Sequence, residues 1–437
     1  VQINMATATT AKSVSARLWY MAAVLCLTNA VAFIDRQSLP LLVDSIKADL
    51  QVTDTQMSYL IGLAFVLTYI GLGIPAGMMM DKYPRRAVMA SGIALWSAAT
   101  AWSATVVSYW AMFIGRLGIG TGETVVGPGS ISVIRDAFPE DQRNRAIGIW
   151  AMGANFGMAT ALLGGGAILA AIGDAASVTV PLLGTIRSWQ LVLICCALIS
   201  LPMVFLVFTF PEPPRTGTAQ FGSGVGATLR YMGKRWQIFV PLFLVNGITI
   251  ITLVGHSLWV PAMFGRVWHL SRPEIGFTLG IMTVVFGASS QFIAGAAMDW
   301  LHQRGIRNPI PIFGAVIAAI SFVPGVFIPL APSVTIAWTL QGLYMLIATC
   351  MFTIGTAFIA RLAPPEMSGK ITAVHILWVG LAGTAIGATI FAVVSDRFFQ
   401  GPMALAYSMS TVVGVLDVIA VLLYLLLMRL TRSAVTL

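Results

Sequence analysis

Runs of about twenty apolar residues recur along the chain, separated by short polar loops, and each is long enough to cross the hydrocarbon core of a bilayer as a helix. The pattern predicts twelve helices, over 17–42, 56–79, 87–106, 109–134, 146–172, 189–210, 238–264, 273–297, 309–330, 333–360, 371–395 and 403–428. The fourth run, YWAMFIGRLGIGTGETVVGPGSISVI, is laden with glycine and carries two ions, Arg116 and Glu123. A charge at the centre of a spanning helix costs about 2.5–3.5 kcal/mol on insertion scales, so these two must face protein or water rather than lipid. Seven residues is nearly two helical turns, which puts both side chains on one face about 10 Å apart along the axis. That face is read as the functional centre. The glycines around it suit close helix packing, with Pro128 as a possible hinge.

The chain repeats itself at about half its length. GMMMDKYPRR after helix 2 (Gly77, Asp81, Arg85, Arg86) is echoed by GAAMDWLHQRG after helix 8 (Gly295, Asp299, Arg304). RDAFPEDQRNRA after helix 4 is echoed by RLAPPEMSGKIT after helix 10. Two echoes in the same order argue for two six-helix halves related by an axis along the membrane normal. The expected layout is a cytoplasmic tail over 1–16, one bundle over 17–210, a polar linker over 211–237, a second bundle over 238–428 and a tail over 429–437. The linker's basic end, Arg230 to Arg235 with Trp236, reads as a short helix on the membrane surface.

Basic residues set the orientation. Eighteen Lys and Arg fall on the termini and even-to-odd loops, five on the opposite face and two, Arg36 and Arg116, inside helices. That asymmetry places both termini in the cytoplasm of a multi-pass protein of the cell membrane. It also explains the net charge of +9 without nucleic acid. With 58% hydrophobic and only 9% charged residues, most of the chain must be lipid-embedded. The four cysteines lie in apolar runs and the four histidines are scattered, so neither a metal nor another cofactor is expected.

Twelve helices in two repeated halves, with G-x-x-x-D-[RK]-x-x-R-R after helix 2, resemble the major facilitator superfamily over nearly the whole chain. Within it, FIDRQ at the end of helix 1 (Phe33 to Gln37) and RLGIGTGE in helix 4 resemble the Spinster-like lipid transporters. The resemblance implies an all-α membrane protein of the major facilitator fold that moves substrate by alternating access. It also implies a cytoplasmic latch built from Gly77, Asp81, Arg85 and Arg86, with Asp299 and Arg304 at the repeated position, in which Asp81 accepts from Arg85 or Arg86. Two departures stand out. Pro84 replaces the usual loop glycine, and helix 5 lacks the Gly-Pro antiporter signature, which argues against drug-efflux exchange.

Counting 1.5 Å per residue puts Asp35, Arg36 and Arg116 at a similar depth, about 10–12 Å below the outer boundary, with Glu123 about 10 Å deeper near the midplane. There Glu123 is expected to carry the coupling proton, with Asp35 as the second proton-coupling candidate. Arg36 and Arg116 are expected to form an anion site, and the plainer alternative is a structural Asp35–Arg116 ion pair. In the second half, Asn246, Thr249, Thr252 and His256 recur at three- and four-residue steps as a polar stripe. Asn246, His256, Tyr344, His375 and Trp378 are the candidates there for substrate contact. Ions in one half opposite neutral and aromatic groups in the other suit an amphiphile with an anionic head. With the Spinster resemblance, that points to a monomeric proton-coupled secondary transporter of a lipid or lysolipid; the alternative is a carrier of small organic anions such as sugar acids. A membrane enzyme would not need a duplicated bundle, and no Ser/His/Asp or metal constellation is present in the sequence.

Overall fold

The computed structural model describes residues 15–173, 177–180, 184–215, 225–306 and 309–434. Most of the expected tail 1–16, linker residues 216–224 and the last three residues lie outside the described residues. The helices are α1 (Ala16–Leu50), α2 (54–82), α3 (Arg85–Ser103), α4 (109–137), α5 (Glu140–Ile172), α6 (Ser188–Leu206), α7 (Trp236–Trp268), α8 (272–303), α9 (Pro309–Phe327), α10 (334–362), α11 (365–398) and α12 (Ala404–Ala434). A short linker helix, Val225–Lys234, precedes α7. A hairpin of β1 (Ser177–Val180) and β2 (Gly184–Arg187) joins α5 to α6. Because α12 continues through Ala434, residues 429–434 belong to that helix rather than to a tail.

Local chemistry sets the helix starts. Thr53 and Gln56 form a reciprocal capping box on α2, while Ser108, Ser271 and Ser333 cap α4, α8 and α10 through their hydroxyls. Pro84, Pro139 and Pro364 precede α3, α5 and α11, each with φ between −56° and −57°. This gives the Pro84 departure a structural use, since the ring fixes φ where the chain enters the helix.

Eight of the helices described are individually long and apolar enough to cross a membrane, or nine when the bent α2 counts as one span. Interruptions divide the other long runs. α2 bends by 42° between Gly71 and Gly73, where Pro75 denies the Gly71 carbonyl its usual donor. α4 breaks at Thr124–Val125 for the same reason: Pro128 has no N–H to offer Thr124. The break falls immediately after Glu123. α10 is interrupted at Thr349–Cys350.

The apolar interior shows which end of the molecule is shut. One buried cluster crosses between the halves, with Leu42, Val43, Ile46 and Leu60 from the first and Trp259, Met263, Phe264 and Met409 from the second. It lies at the end opposite the termini. Toward the other end the interior divides in two, one cluster around Trp96, Met89 and Phe138 and another around Phe313, Phe358 and Tyr424. Polar contacts between the halves also gather at the shut end. Arg266 of α7 binds Asp44 of α1 and Asp54 of α2, and Thr55 donates to Asp396 of α11 through both its backbone N–H and its hydroxyl. These groups were not singled out from the sequence. Acidic residues beside one face's few basic ones were the available signal.

Candidate functional site

The site is assembled where α1, α2, α3 and α4 meet. α4 approaches α2 closely because Gly120 has no Cβ; one there would run into the Phe65 carbonyl and the Thr68 hydroxyl. On the same helix, Gly122 meets the backbone of α3, where a Cβ would lie 2.5 Å from the Gly92 carbonyl oxygen and 2.6 Å from the Trp96 nitrogen. Close packing is therefore what these two glycines provide, and it holds Arg116 and Glu123 against their neighbours.

A π-helical stretch in α2, Tyr59–Leu63, prepares one of those neighbours. The Ala64 N–H reaches back to the Tyr59 carbonyl, and the Leu60 carbonyl accepts from Arg116 Nε at 3.0 Å. A π-bulge of this kind can leave a backbone acceptor for a side chain, and such bulges are frequent at functional sites. Arg116 is 1% exposed, and its Nη1 has no hydrogen-bond partner.

Asp35 and Arg36, adjacent on α1, point to different sides. Asp35 is fully buried, and Oδ2 accepts from the Thr100 hydroxyl of α3 while Oδ1 has no partner. Arg36 turns toward α2 and α4, where its Nε lies 2.5 Å from Glu123 Oε2. Its guanidinium carbon lies 4.8, 4.6 and 4.8 Å from the ring centroids of Phe33, Phe65 and Tyr69. Glu123 is fully buried and its Oε1 is unpartnered. Two carboxylates and two guanidinium groups thus share one region, buried except for the Arg36 side chain, which is 24% exposed, with an unsatisfied atom on Asp35, Arg116 and Glu123. A buried polar atom without a partner is costly, so these three mark a place prepared for a proton, water or ligand.

This arrangement revises the depth estimate. Counting along the helices put Glu123 a full step below Arg36, but the long arginine stem reaches it, and the ion pair formed is Arg36–Glu123. Arg116 binds a backbone carbonyl, and Asp35 binds Thr100 rather than making the alternative structural pair with Arg116. The aromatic residues were legible only as spacing: Phe33 stands three residues before Arg36, and Phe65 four before Tyr69.

In the second half the polar stripe turns inward. Asn246, His256 and Tyr344 are 3%, 1% and 2% exposed and bonded within their own bundle. Asn246 donates to the Leu242 carbonyl, His256 Nε2 lies 3.1 Å from Gln341 Oε1, and the Tyr344 hydroxyl donates to the Thr252 carbonyl. In this state the three are turned into their own bundle: helical spacing defines a face, and the face packs against α10 and α12. His375 is buried against Phe243, and Trp378, half-buried, donates to the Phe243 carbonyl at 2.7 Å. Asp417 belongs to the same interior, 1% exposed and accepting from Ser321.

The expected latch also changes. Arg85 is 1% exposed, with Nη1 2.5 Å from Asp136 Oδ2 of α4, and its backbone N–H donates to Glu212 beyond α6. Arg86 donates to the Phe210 carbonyl, and Arg215 donates to the carbonyls of Met80 and Tyr83. These bonds fasten the loop to its own half. Asp81 is exposed and Gly77 half-buried, and the bonds from Arg85 and Arg86 go to Asp136, Glu212 and Phe210 rather than to Asp81. Asp299 is exposed, and Arg304 stacks on Trp300 at 3.9 Å. None of these bonds links the two halves, because the bundles are apart at this end.

Two helical bundles, joined by a linker, shut at one end and holding buried ions between helices of one half, define a multi-pass membrane transporter. The Major Facilitator Superfamily model matches residues 25–388, and the chain belongs to that superfamily. Among its relatives is an MFS-type efflux pump of Mycolicibacterium smegmatis, 23% identical and covering 93% of this chain and 92% of its own. Human protein spinster homolog 3 is 25% identical over 83% of this chain and 73% of its own. The crystal structure of a bacterial homolog of the human lysosomal transporter Spinster, inward-facing and unoccupied, superposes with a TM-score of 0.82 at 22% identity, covering 95% of this chain and 98% of that one.

Proposed function

We propose that this chain is a proton-coupled secondary active transporter of an anionic amphiphile, a lipid or lysolipid, working as a monomer in the cell membrane with both termini cytoplasmic. The observation that carries the reading is the Arg36–Glu123 ion pair at 2.5 Å, deep in the bundle and next to the unpartnered Arg116 Nη1. A substrate oxyanion arriving at Arg36 and Arg116 competes with Glu123 for the guanidinium. Displaced, Glu123 is free to take a proton, and when the substrate leaves, re-pairing with Arg36 expels that proton. Asp35, within electrostatic reach of both arginines, is the candidate that replaces Glu123 if Glu123 is not the coupling group. With the termini cytoplasmic, the shut end is the outer one and the state is inward-facing.

The amphiphile follows from the Spinster resemblance and from the distribution of charge. All four ions of the site lie in the first half, whereas the polar stripe of the second half is tied up inside its own bundle. An anionic head is therefore met from one side only.

The test is proton flux in proteoliposomes under an imposed pH gradient, on adding lysophosphatidylglycerol or, separately, galactonate. A response to the lysolipid is expected, and a response to galactonate alone would replace the amphiphile by a sugar acid. In the same vesicles, Glu123→Gln should abolish accumulation driven by the pH gradient yet leave downhill exchange, which need not move net protons. If the glutamine variant still accumulates substrate, Glu123 is not the coupling group.

A further inference from the structure

The three rings around Arg36 have no part in the exchange as described so far. Phe33 lies one turn before Arg36 on α1. Phe65 and Tyr69 lie one turn apart on α2 and stack on each other, centroids 5.2 Å apart at 23°. The guanidinium carbon is within 4.8 Å of all three centroids, and Phe65 also lies 5.8 Å from the guanidinium carbon of Arg116. The fixed approach of α4 to the Phe65 carbonyl through Gly120 holds this wall in place.

Aromatic faces attract a cation through their quadrupole but do not neutralise it or satisfy its N–H fork as a carboxylate does, and of the three only Tyr69, through its hydroxyl, also hydrogen-bonds Arg36. They also occupy space that water would otherwise fill. Flanked by three rings, with 24% of its side chain still exposed, the guanidinium has fewer places to meet an oxyanion than one in open water. In a hydrated setting the same arginine could be satisfied by water and hold Glu123 and a substrate anion loosely together, since charge interactions weaken as the effective dielectric rises.

From this geometry we propose that Phe33, Phe65 and Tyr69 form a sleeve that limits Arg36 to one oxyanion at a time, making substrate and Glu123 mutually exclusive. They are positioning residues: they act through Arg36, and the tightness of coupling depends on them. The inference rests on the Arg36–Glu123 reading above. The rings predict a specific defect, loose coupling with binding retained, rather than general loss of transport.

The experiment measures protons taken up per ligand bound, by following pH in weakly buffered detergent solution while titrating the full-length protein with lysophosphatidylglycerol. Because linkage is reciprocal, a ligand that displaces Glu123 must draw a proton with it, about one per ligand at a pH where the freed carboxyl is protonated. Phe65→Leu, which removes the ring and keeps an apolar side chain, should cut uptake at least about threefold while affinity changes less than about tenfold. Phe65→Trp, which restores a π face, should keep wild-type uptake. Phe33→Leu removes a ring from the other helix and should reproduce the leucine phenotype, so the test survives if one variant does not fold. Wild-type uptake in both leucine variants overturns the sleeve, as does Phe65→Trp behaving like Phe65→Leu. Glu123→Gln is the separate control: it should abolish uptake, and uptake persisting in that variant overturns the coupling reading itself.

Discussion

Arg266→Ala should open the shut end of the molecule. Its side chain is 19% exposed, and its guanidinium joins the second half to two helices of the first, with Nη2 at 2.7 Å from Asp44 Oδ1, and Nη1 and Nη2 at 2.7 and 2.8 Å from the two oxygens of Asp54. The two contributions differ in size. Asp44 is 37% exposed, and an ion pair that open to water contributes about 0.5 kcal/mol. Asp54 is 4% exposed and held bidentately, where hydrogen bonds to a charged group are worth about 1.5–3 kcal/mol. Lys47, 2.5 Å from Asp54 and in the same half, would keep that carboxylate from being stranded, which favours the lower part of the range. The clamp therefore contributes about 2–2.5 kcal/mol, roughly a 30- to 70-fold change in the equilibrium between the shut and open forms of this end.

A shift of that size converts an open population of about 1% into about a quarter to two-fifths. Spin labels at Ala48→Cys and Gln400→Cys, both exposed and on opposite halves at this end, would report it by pulsed dipolar spectroscopy in a background lacking the four native cysteines. Wild type should give one short distance, and Arg266→Ala a second, longer one. Adding Thr55→Val, which removes the hydroxyl bond to Asp396, should enlarge the longer component. If the double variant shows only the short distance, the ion pairs are incidental and the apolar cluster around Trp259 and Met263 holds this end closed.

Arg116→Lys should insert and fold yet lose at least about tenfold in transport, because one ammonium cannot both satisfy the Leu60 carbonyl and present a two-pronged fork to an anion; wild-type uptake in proteoliposomes would remove Arg116 from the site. Gly120→Ala should destabilise by about 1–3 kcal/mol, as overpacking does, and weaken transport by pushing α4 away from Phe65; an unchanged thermal unfolding midpoint in detergent would contradict that account. For topology, a cysteine at exposed Arg230 in the linker helix should resist an impermeant thiol reagent outside intact cells, while one at Thr185 in the hairpin should react; the reverse pattern would invert the orientation.

The architecture was legible because bilayer physics leaves little freedom: apolar runs of spanning length, basic loops on one face and two echoed loop motifs lead to two bundles. The four ions were legible for the same reason, since intramembrane charges stand out against an apolar background. Their pairing was not. Asp35 and Arg36 are neighbours in sequence, yet a helix turns by about 100° per residue, sending one to Thr100 and the other to Glu123. Which carbonyl Arg116 would find depended on a π-bulge in another helix, and nothing in the Tyr59–Leu63 sequence announces one.

The polar stripe of α7 is turned into its own bundle in this state, and the contrast illuminates the other half. Asn246, Thr249 and Thr252 all bond to carbonyls of their own helix, and the stripe packs against α10 and α12, so its polarity is consumed in holding one bundle together. In the first half the balance is different. Asp35 Oδ1, Arg116 Nη1 and Glu123 Oε1 are left unsatisfied at full burial, a cost that a merely structural network would remove by substitution with apolar residues of similar size. Spacing cannot separate these cases, since both halves show polar residues at helical intervals. The second half also leaves His256 Nδ1, both His375 nitrogens and the Tyr424 hydroxyl without partners, so the distinguishing feature is the kind of group: among the described residues, only around Arg36 do two carboxylates and a second guanidinium stand with unsatisfied atoms, and there an incoming anion changes the pairing.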